Sequence, residues 1–351
     1  MEILESSQEM NMKGICKSSE SKVAVIVPVY NDSTTLGLTL RAIEPDIIRF
    51  GWDFIVVDDV STDDSAKIAK EYRTQVIRLE QNKGVAAARN TGANATEADI
   101  LIFVDADVKP QPETLSAMVN VLQNRPEIHA VGAYPLPGDL SPQWSSHFVG
   151  LRSSWGYYWN NNEDERLFSS VQSECGAIRK NVFEKCEGFT ERHSGVGMEE
   201  FHLAHMMELN GFKNILLRSA SYQHHYKPLI KRCLTLIERT SRWVPLLLSR
   251  KKFESHGAVG SQDAAFSCVL TFVALTALSV GIFIRWGMII AGLTWLVQIV
   301  LEWTFLNFAY KVYGWRMVFY SLPALQVMHL SIGLGFICGL KKHFLSKKLK
   351  K

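Results

Sequence analysis

The sequence predicts an α/β fold: a doubly wound sheet with helices on both sides, followed by apolar segments of membrane length. Three observations lead there. Short β-branched runs alternate with helix-like stretches from residue 22 to about residue 134, the pattern of strands covered on both faces. Three of those runs end in polar or acidic residues, Tyr30-Asn31-Asp32, Asp58-Asp59 and Asp105-Ala106-Asp107. From residue 264 onward, long stretches carry almost no charge.

VAVIVPVY, residues 23–30, is a continuous β-branched run and reads as a first strand; residues 34–50 read as a helix. DFIVVDD (53–59) is a second buried strand. STDDSAKIAKEY follows it as a helix, with Ser61 or Thr62 placed to cap it and acids in its first turn. QVIRLE, ILIFVDAD and AVGAY continue the strand series, with the alanine-rich GVAAARNTGANA and ETLSAMVNVLQ as helices between them. A sheet wound this way collects ligands beyond the carboxyl ends of its strands, which is where the acids stand.

Composition removes several classes. A net charge of +3 over 351 residues is too small to suggest nucleic-acid binding. Six scattered cysteines without a CxxC pair argue against a zinc site and a disulfide framework, and for a reducing compartment. No GxxxxGK[ST] loop is present, and no GxGxxG follows the first strand, which counts against a P-loop ATPase and a dinucleotide enzyme. Residues 1–21 are polar and lack the apolar run of a secretory signal, so they read as a disordered leader.

Asp105 and Asp107 are one residue apart where a strand stops, so both can reach one hard cation. Mg2+ and Mn2+ take oxygen ligands, commonly one or two carboxylates plus substrate phosphates. A lone acid at a strand end is an ordinary turn or cap residue; three such ends together are not.

VPVYND, VVDDVSTDDS, NKGVAAARNTG and FVDADVKP, in this order and spacing, resemble the inverting family 2 glycosyltransferases of GT-A fold. The likeness is close from residue 22 to 107 and looser to about 248. It implies a GT-A-like mixed sheet and a catalytic domain over residues 22–226. It also implies that Pro28, Tyr30 and Asp32 line a nucleotide pocket, that Asp58 contacts the base or ribose, and that Asp59 shapes the pocket. Lys83 and Arg89 would lie beside the donor and its phosphates. Asp105 would face the donor and, with Asp107, hold Mg2+ or Mn2+. The donor would be a UDP- or GDP-type nucleotide sugar. Val60 departs from the family, which usually has glycine there.

CGAIRKNVFEKCEGF resembles the family's segment before a GGF turn, and GMEEFHLAHMMELNGF the place where the family opens a helix with Glu-Asp. Here the pair is Glu199-Glu200. An inverting transfer needs one carboxylate to take the proton of the acceptor hydroxyl; Glu200 is the expected base and Glu199 the runner-up. Two acids stabilising a helix N-terminus would explain the same residues. In YQHHYKPL, His225 fits the family's metal- or diphosphate-binding histidine, with His224 as the alternative. Arg239-Thr240-Ser241-Arg242-Trp243 resembles the QxxRW of processive synthases, with arginine in place of glutamine. An amphipathic interfacial helix explains that stretch as well.

Residues 227–263 therefore read as an interfacial segment and linker, and 264–340 as membrane segments (about 264–284, 287–308 and 317–340), the last bent at Pro323. Residues 341–351, with six lysines, form a basic tail. Basic flanks favour the cytoplasmic side, which puts the catalytic domain in the cytoplasm at a bacterial inner membrane or its equivalent. The expectation is an inverting, metal-dependent transfer from a nucleotide sugar to a lipid or lipid-linked acceptor. A polysaccharide synthase-like enzyme and a non-catalytic nucleotide-binding scaffold are the alternatives.

Overall fold

A computed structural model of the protein describes residues 21–158, 163–168, 170–191, 199–250, 262–281 and 285–348. The expected leader up to residue 20, residues 251–261 of the linker and residues 349–351 of the tail lie outside the described residues.

Nine strands make one mixed sheet: β1 (Val23–Val29), β2 (Asp53–Asp58), β3 (Gln75–Arg78), β4 (Ile100–Val104), β5 (Val108–Pro110), β6 (Ala130–Pro135), β7 (Glu165–Leu167), β8 (Cys175–Arg179) and β9 (Asn214–His224). Their order is β3-β2-β1-β4-β8-β6-β9-β5, with β7 on β9. The first four are parallel to one another. β8 then runs antiparallel to both β4 and β6, while β9 is parallel to β6 and antiparallel to β5.

Alternate side chains of β1 enter opposite cores, as the two-residue period of a strand requires. Val23, Val25, Val27 and Val29 meet α1 (Leu36–Phe50) through Leu36, Leu40 and Ile43. Ala24 and Ile26 face α3 (Val85–Asn94) through Ala86 and Ala88. Full burial of each valine, leucine or isoleucine among them is worth about 1.5–3 kcal/mol. Gly92 lets α3 lie close: a Cβ there would stand 2.4 Å from Ile26 Cγ2. The other helices on the sheet are α4 (Thr114–Asn124), α5 (Trp144–Tyr158), α6 (Lys180–Lys185) and α7 (Glu199–Leu209).

One helix departs from expectation. α2 is only Ser65–Ala69, with no acid in its first turn and neither Ser61 nor Thr62 capping it. Those residues serve the turn before it: Ser61 Oγ accepts from Asn31 N at 3.0 Å, and Asn31 Oδ1 accepts from Thr62 N at 2.7 Å. Tying two loops together outweighs starting the helix early.

After β9 the chain is helical: α8 (Leu229–Arg250), α9 (Gln262–Gly281), α10 (Arg285–Leu301), α11 (Trp303–Tyr313) and α12 (Trp315–Lys348). Of the three expected membrane segments, only the third forms, among the described residues, a single helix long and apolar enough to cross a bilayer, Trp315–Leu345. The first gives a shorter apolar helix, and the second is broken by a bend of 65° between α10 and α11. The helix does not break at Pro323, where a bend was expected: α12 is helical on both sides of it, and Met317, Ala324 and Leu325 pack against α5. The break falls instead at Glu302, whose carboxylate lies 3.3 Å from His329 Nε2 and 3.8 Å from Arg152 Nη2.

The helical region is polar inside and apolar outside. Thr271, Gln298, Glu302 and His329 are buried, whereas Trp286, Leu293 and Val300 are 58–73% exposed. Gln298 Nε2 donates to Thr271 Oγ1 at 2.9 Å, and Gln326 Nε2 to Gln298 Oε1 at 2.8 Å.

Candidate active site

Two loops build one side of the site. After β1, Asn31 takes φ +51°, and the Asp32 carboxylate accepts from Thr35 Oγ1 at 2.5 Å. Burial raises the Asp32 pKa, against the Thr35 bond and the charges of His225 and Lys227. Tyr30 is exposed beside it, whereas Pro28 lies within β1 opposite Val57 and is buried.

The acids after β2 hold backbone. Asp58, expected at the base or ribose, is fully buried; it accepts from Ser61 N at 2.8 Å and pairs with Arg78. Both of its oxygens are engaged, so it fixes the Ser61–Arg78 turn rather than opening to a ligand. Asp59 accepts from Lys83 N and Gly84 N at 2.8 Å each, which ties the start of α3 to β2. The Lys83 side chain is exposed. Between these anchors Val60 is forced to φ +66°, a left-handed conformation that a β-branched residue adopts only with strain.

The mouth of the sheet holds the rest. Arg89 on α3 is 2% exposed and its Nη2 donates to Asp105 Oδ1 at 2.6 Å. Burial opposes its charge, but Asp105, Glu200 and Glu199 outweigh it and raise its pKa. Asp105 and Asp107 each keep part of the side chain open to solvent. Burial, reinforced by Asp105, Asp32 and Glu174 and opposed by His224, pushes the Asp107 pKa up to about 6.

Of the two histidines, His224 faces Asp107, with Nε2 3.6 Å from Oδ1; its ring stacks on Tyr226 at 4.2 Å between centroids. Burial disfavours its charge, but Asp107, Glu174 and Asp105 prevail and raise its pKa. His225, the expected ligand, points elsewhere: its Nδ1 is 3.7 Å from Asp139 Oδ1, and only its backbone N–H reaches the Asp107 carbonyl, at 2.8 Å. Neighbouring residues at a strand end project to opposite sides, so His224 faces Asp107 and His225 faces Asp139.

Glu199 and Glu200 open α7. Glu199 is buried; Glu200 is half-buried and accepts from Ser173 Oγ at 2.6 Å. Burial and the adjacent Glu199 raise the Glu200 pKa well above the carboxylate range, against Arg89 and Ser173.

Motif reading missed a third wall, Gln172-Ser173-Glu174, just before β8. Because β8 is antiparallel to β4, its start lies at the carboxyl end of β4, and Asp105 N donates to the Glu174 carbonyl at 3.0 Å. Glu174 accepts from Tyr222 OH at 2.8 Å, and Tyr157 OH donates to Gln172 at 3.1 Å. Burial would raise the Glu174 pKa, yet His224 and the Tyr222 bond hold it below the ordinary value. The available signal was the polar run SSVQSE directly ahead of an apolar strand.

Arg232 and Arg239, two turns apart on α8, complete this wall: both act electrostatically on Glu174. Neither has a carboxylate within 4.0 Å among the described residues, and burial and Arg239 together lower the Arg232 pKa. Arg242 instead pairs outward with Glu238 at 2.5 Å.

Two carboxylates and an imidazole at one mouth suit a hard divalent cation completed by phosphate oxygens and water. No cluster of three or more acidic, histidine or cysteine ligands stands ready among the described residues; Asp105 and Asp107, with His224 adjacent, are the groups at this mouth that could hold a cation.

Comparison with known proteins agrees with the fold. A dolichol-phosphate mannosyltransferase of Pyrococcus furiosus is 29% identical over 127 residues, covering 35% of this chain and 36% of the relative. The glycosyltransferase AglE of Haloferax volcanii is 32% identical over 135 residues, 35% and 44% of the two chains. The chain thus spans less than half the length of these curated relatives. Among solved structures, the mannosyltransferase PcManGT of Pyrobaculum calidifontis, in complex with GDP-Man and Mn2+, shares the fold. Its TM-score is 0.53 at 18% identity, over 94% of this chain and 89% of that one. Residues 24–186 match the family model for glycosyl transferase family 2. The chain therefore carries a family 2 glycosyltransferase domain, which includes the loops of Asp32, Asp59, Arg89, Asp105 and Asp107 and ends short of Glu200 and His224.

Proposed function

We propose that the protein transfers a sugar, with inversion, from a UDP- or GDP-type nucleotide sugar to a lipid-linked acceptor at the cytoplasmic face of a membrane. One observation carries this reading: Ser173 donates to Glu200 at 2.6 Å while its neighbour Glu174 takes the Asp105 N–H at 3.0 Å, so the Asp105 loop, with buried Arg89 on its carboxylate, and the Glu200 helix start share one mouth. Asp105 and Asp107 are the residues that would hold Mg2+ or Mn2+, and such an ion neutralises the leaving diphosphate. Glu200 takes the proton of the acceptor hydroxyl as that oxygen attacks the anomeric carbon from the face opposite the leaving group. A raised pKa suits a base working near neutrality, and the Ser173 bond fixes its carboxylate.

The lipid-linked acceptor is supported by Arg232 and Arg239, two cations without carboxylate partners among the described residues, on the helix that connects the sheet to the apolar helices. Guanidiniums so placed suit phosphate. The polar-inside, apolar-outside packing of α9 to α12 supports a membrane setting. The outward Arg242–Glu238 pair gives no support to a processive synthase.

The test is full-length protein with Mn2+ or Mg2+ and a panel of UDP- and GDP-sugars, with and without lipid extract. Transfer of one sugar to a lipid-soluble product is expected. Absence of both donor hydrolysis and transfer across the panel would refute the reading.

A further inference from the structure

We infer that α12, the one described helix long and apolar enough to cross a bilayer unaided, does not cross it. Both of its ends lie on the membrane face occupied by the catalytic domain, and the α9–α10 hairpin is the part that enters the hydrocarbon. The inference rests on the membrane setting proposed above and specifies which surface the lipid covers.

The first half of α12 is docked on the sugar-transferase domain. Met317, Ala324 and Leu325 share one apolar cluster with Phe148 and Leu151 of α5 and with Tyr226 and Leu229. The Tyr320 and Phe148 rings stand 5.9 Å apart, and Tyr313, just before α12, holds His147 at 2.9 Å. The second half runs beside α8 in the same direction. Ile332 clusters with Leu236; a Cβ on Gly335 would come 2.7 Å from the Ile237 carbonyl, and one on Gly339 2.6 Å from Val244 Cβ. Lys342 Nζ then donates to Ser241 Oγ at 2.9 Å. From Ile332 to Gly339 positions rise together along the two helices, with the long Lys342 side chain reaching back to Ser241, so this half of α12 sits at the depth of α8.

α8 cannot lie in hydrocarbon, because Lys231, Arg232, Glu238, Arg239 and Arg242 are spread along it. A crossing α12 would have to drag α8 or α5 through the bilayer with it. Among the described residues the hairpin shows no such tie beyond its base. Its base rests on the middle of α12 through Gln298–Gln326 and Phe272–Gly333. Past that point it presents exposed Leu278, Val280, Ile289 and Leu293, and Gly287 lets its helices touch near the tip. This arrangement returns the lysine tail to the same face as the basic α8, as the positive-inside bias asks.

The test uses the full chain in sealed membrane vesicles, with native cysteines replaced and single thiols introduced as Lys70→Cys, Arg316→Cys and Lys341→Cys. The last two positions stand about 37 Å apart along the helix at 1.5 Å per residue, more than the ~30 Å hydrocarbon core. A membrane-impermeant maleimide should label all three from the same side. Labelling of Arg316→Cys and Lys341→Cys from opposite sides would overturn the inference. If cysteine replacement prevents folding, a C-terminal epitope on the otherwise native chain answers the same question. Protease should remove it from the face on which it cleaves the catalytic domain, and a protected epitope overturns the inference. Recovery of the chain in the detergent-free soluble fraction would instead remove the membrane setting itself, and this inference with it.

Discussion

Glu200→Gln should separate chemistry from folding. Glutamine keeps the volume and can still accept the Ser173 hydroxyl hydrogen bond, now 2.6 Å long, so the site's shape should persist. What disappears is the proton acceptor, and loss of a positioned general base costs about 10²–10⁴ in rate. Stability should move the other way. Burial and Glu199 raise the folded-state pKa of Glu200, so the folded chain holds this proton more tightly than the unfolded chain. Such a group favours the fold at low pH and loses that contribution as pH rises from the unfolded value, about 4.3, through the folded one. Each unit of the rise corresponds to about 1.4 kcal/mol. The variant should therefore melt higher than wild type at pH 8 and equally at pH 4, while the acid limb of the wild-type pH–rate profile lies well above the ordinary glutamate range. Single-turnover transfer to a hydroxyl acceptor, together with thermal melts at both pH values, measures all of this. Near-wild-type transfer by the variant would refute the base assignment. Transfer retained only with a phosphate acceptor, whose oxygen is already anionic, would show that no base is needed. A lower melting temperature at pH 8 would refute the electrostatic reasoning.

Three further outcomes are expected. Asp107→Asn should abolish turnover stimulated by Mn2+ or Mg2+, and chelation of wild type should do the same; calorimetry with metal and donor should show weakened joint binding. Arg232→Ala and Arg239→Ala should each raise KM for the lipid-linked acceptor about tenfold or more and leave donor hydrolysis intact, whereas Arg242→Ala, at an exposed pair, should change neither. Val60→Gly should relieve the φ +66° strain and, after the added flexibility of the unfolded chain, stabilise by roughly 0.5–1 kcal/mol in denaturant melts.

Much of the site was legible because buried strands announce themselves. VAVIVPV, DFIVVD and ILIFV fold as strands whose ends carry Asp32, Asp59, Asp105 and Asp107 to one edge. Which acids face solvent was not legible. Asp58 and Asp59 are adjacent in a motif associated with nucleotides, yet both spend their oxygens on neighbouring backbone or on Arg78. Glu174 escaped notice because an alternating pattern suggests parallel strands, whose carboxyl ends alone line a crevice; the reversed β8 brings its amino end there instead.

The sequence alone determined where the strands lie, that acids gather at their ends, and that residues 264–340 are mostly apolar. Those properties depend on side-chain volume, branching and charge read within a few residues. Tertiary structure decided which of His224 and His225 meets Asp107, which carboxylates remain open, and that the longest apolar helix lies against α5 and α8. Strand direction, one-residue register and helix docking depend on contacts between segments far apart in the chain, such as Phe148 with Leu325, and no local pattern specifies them.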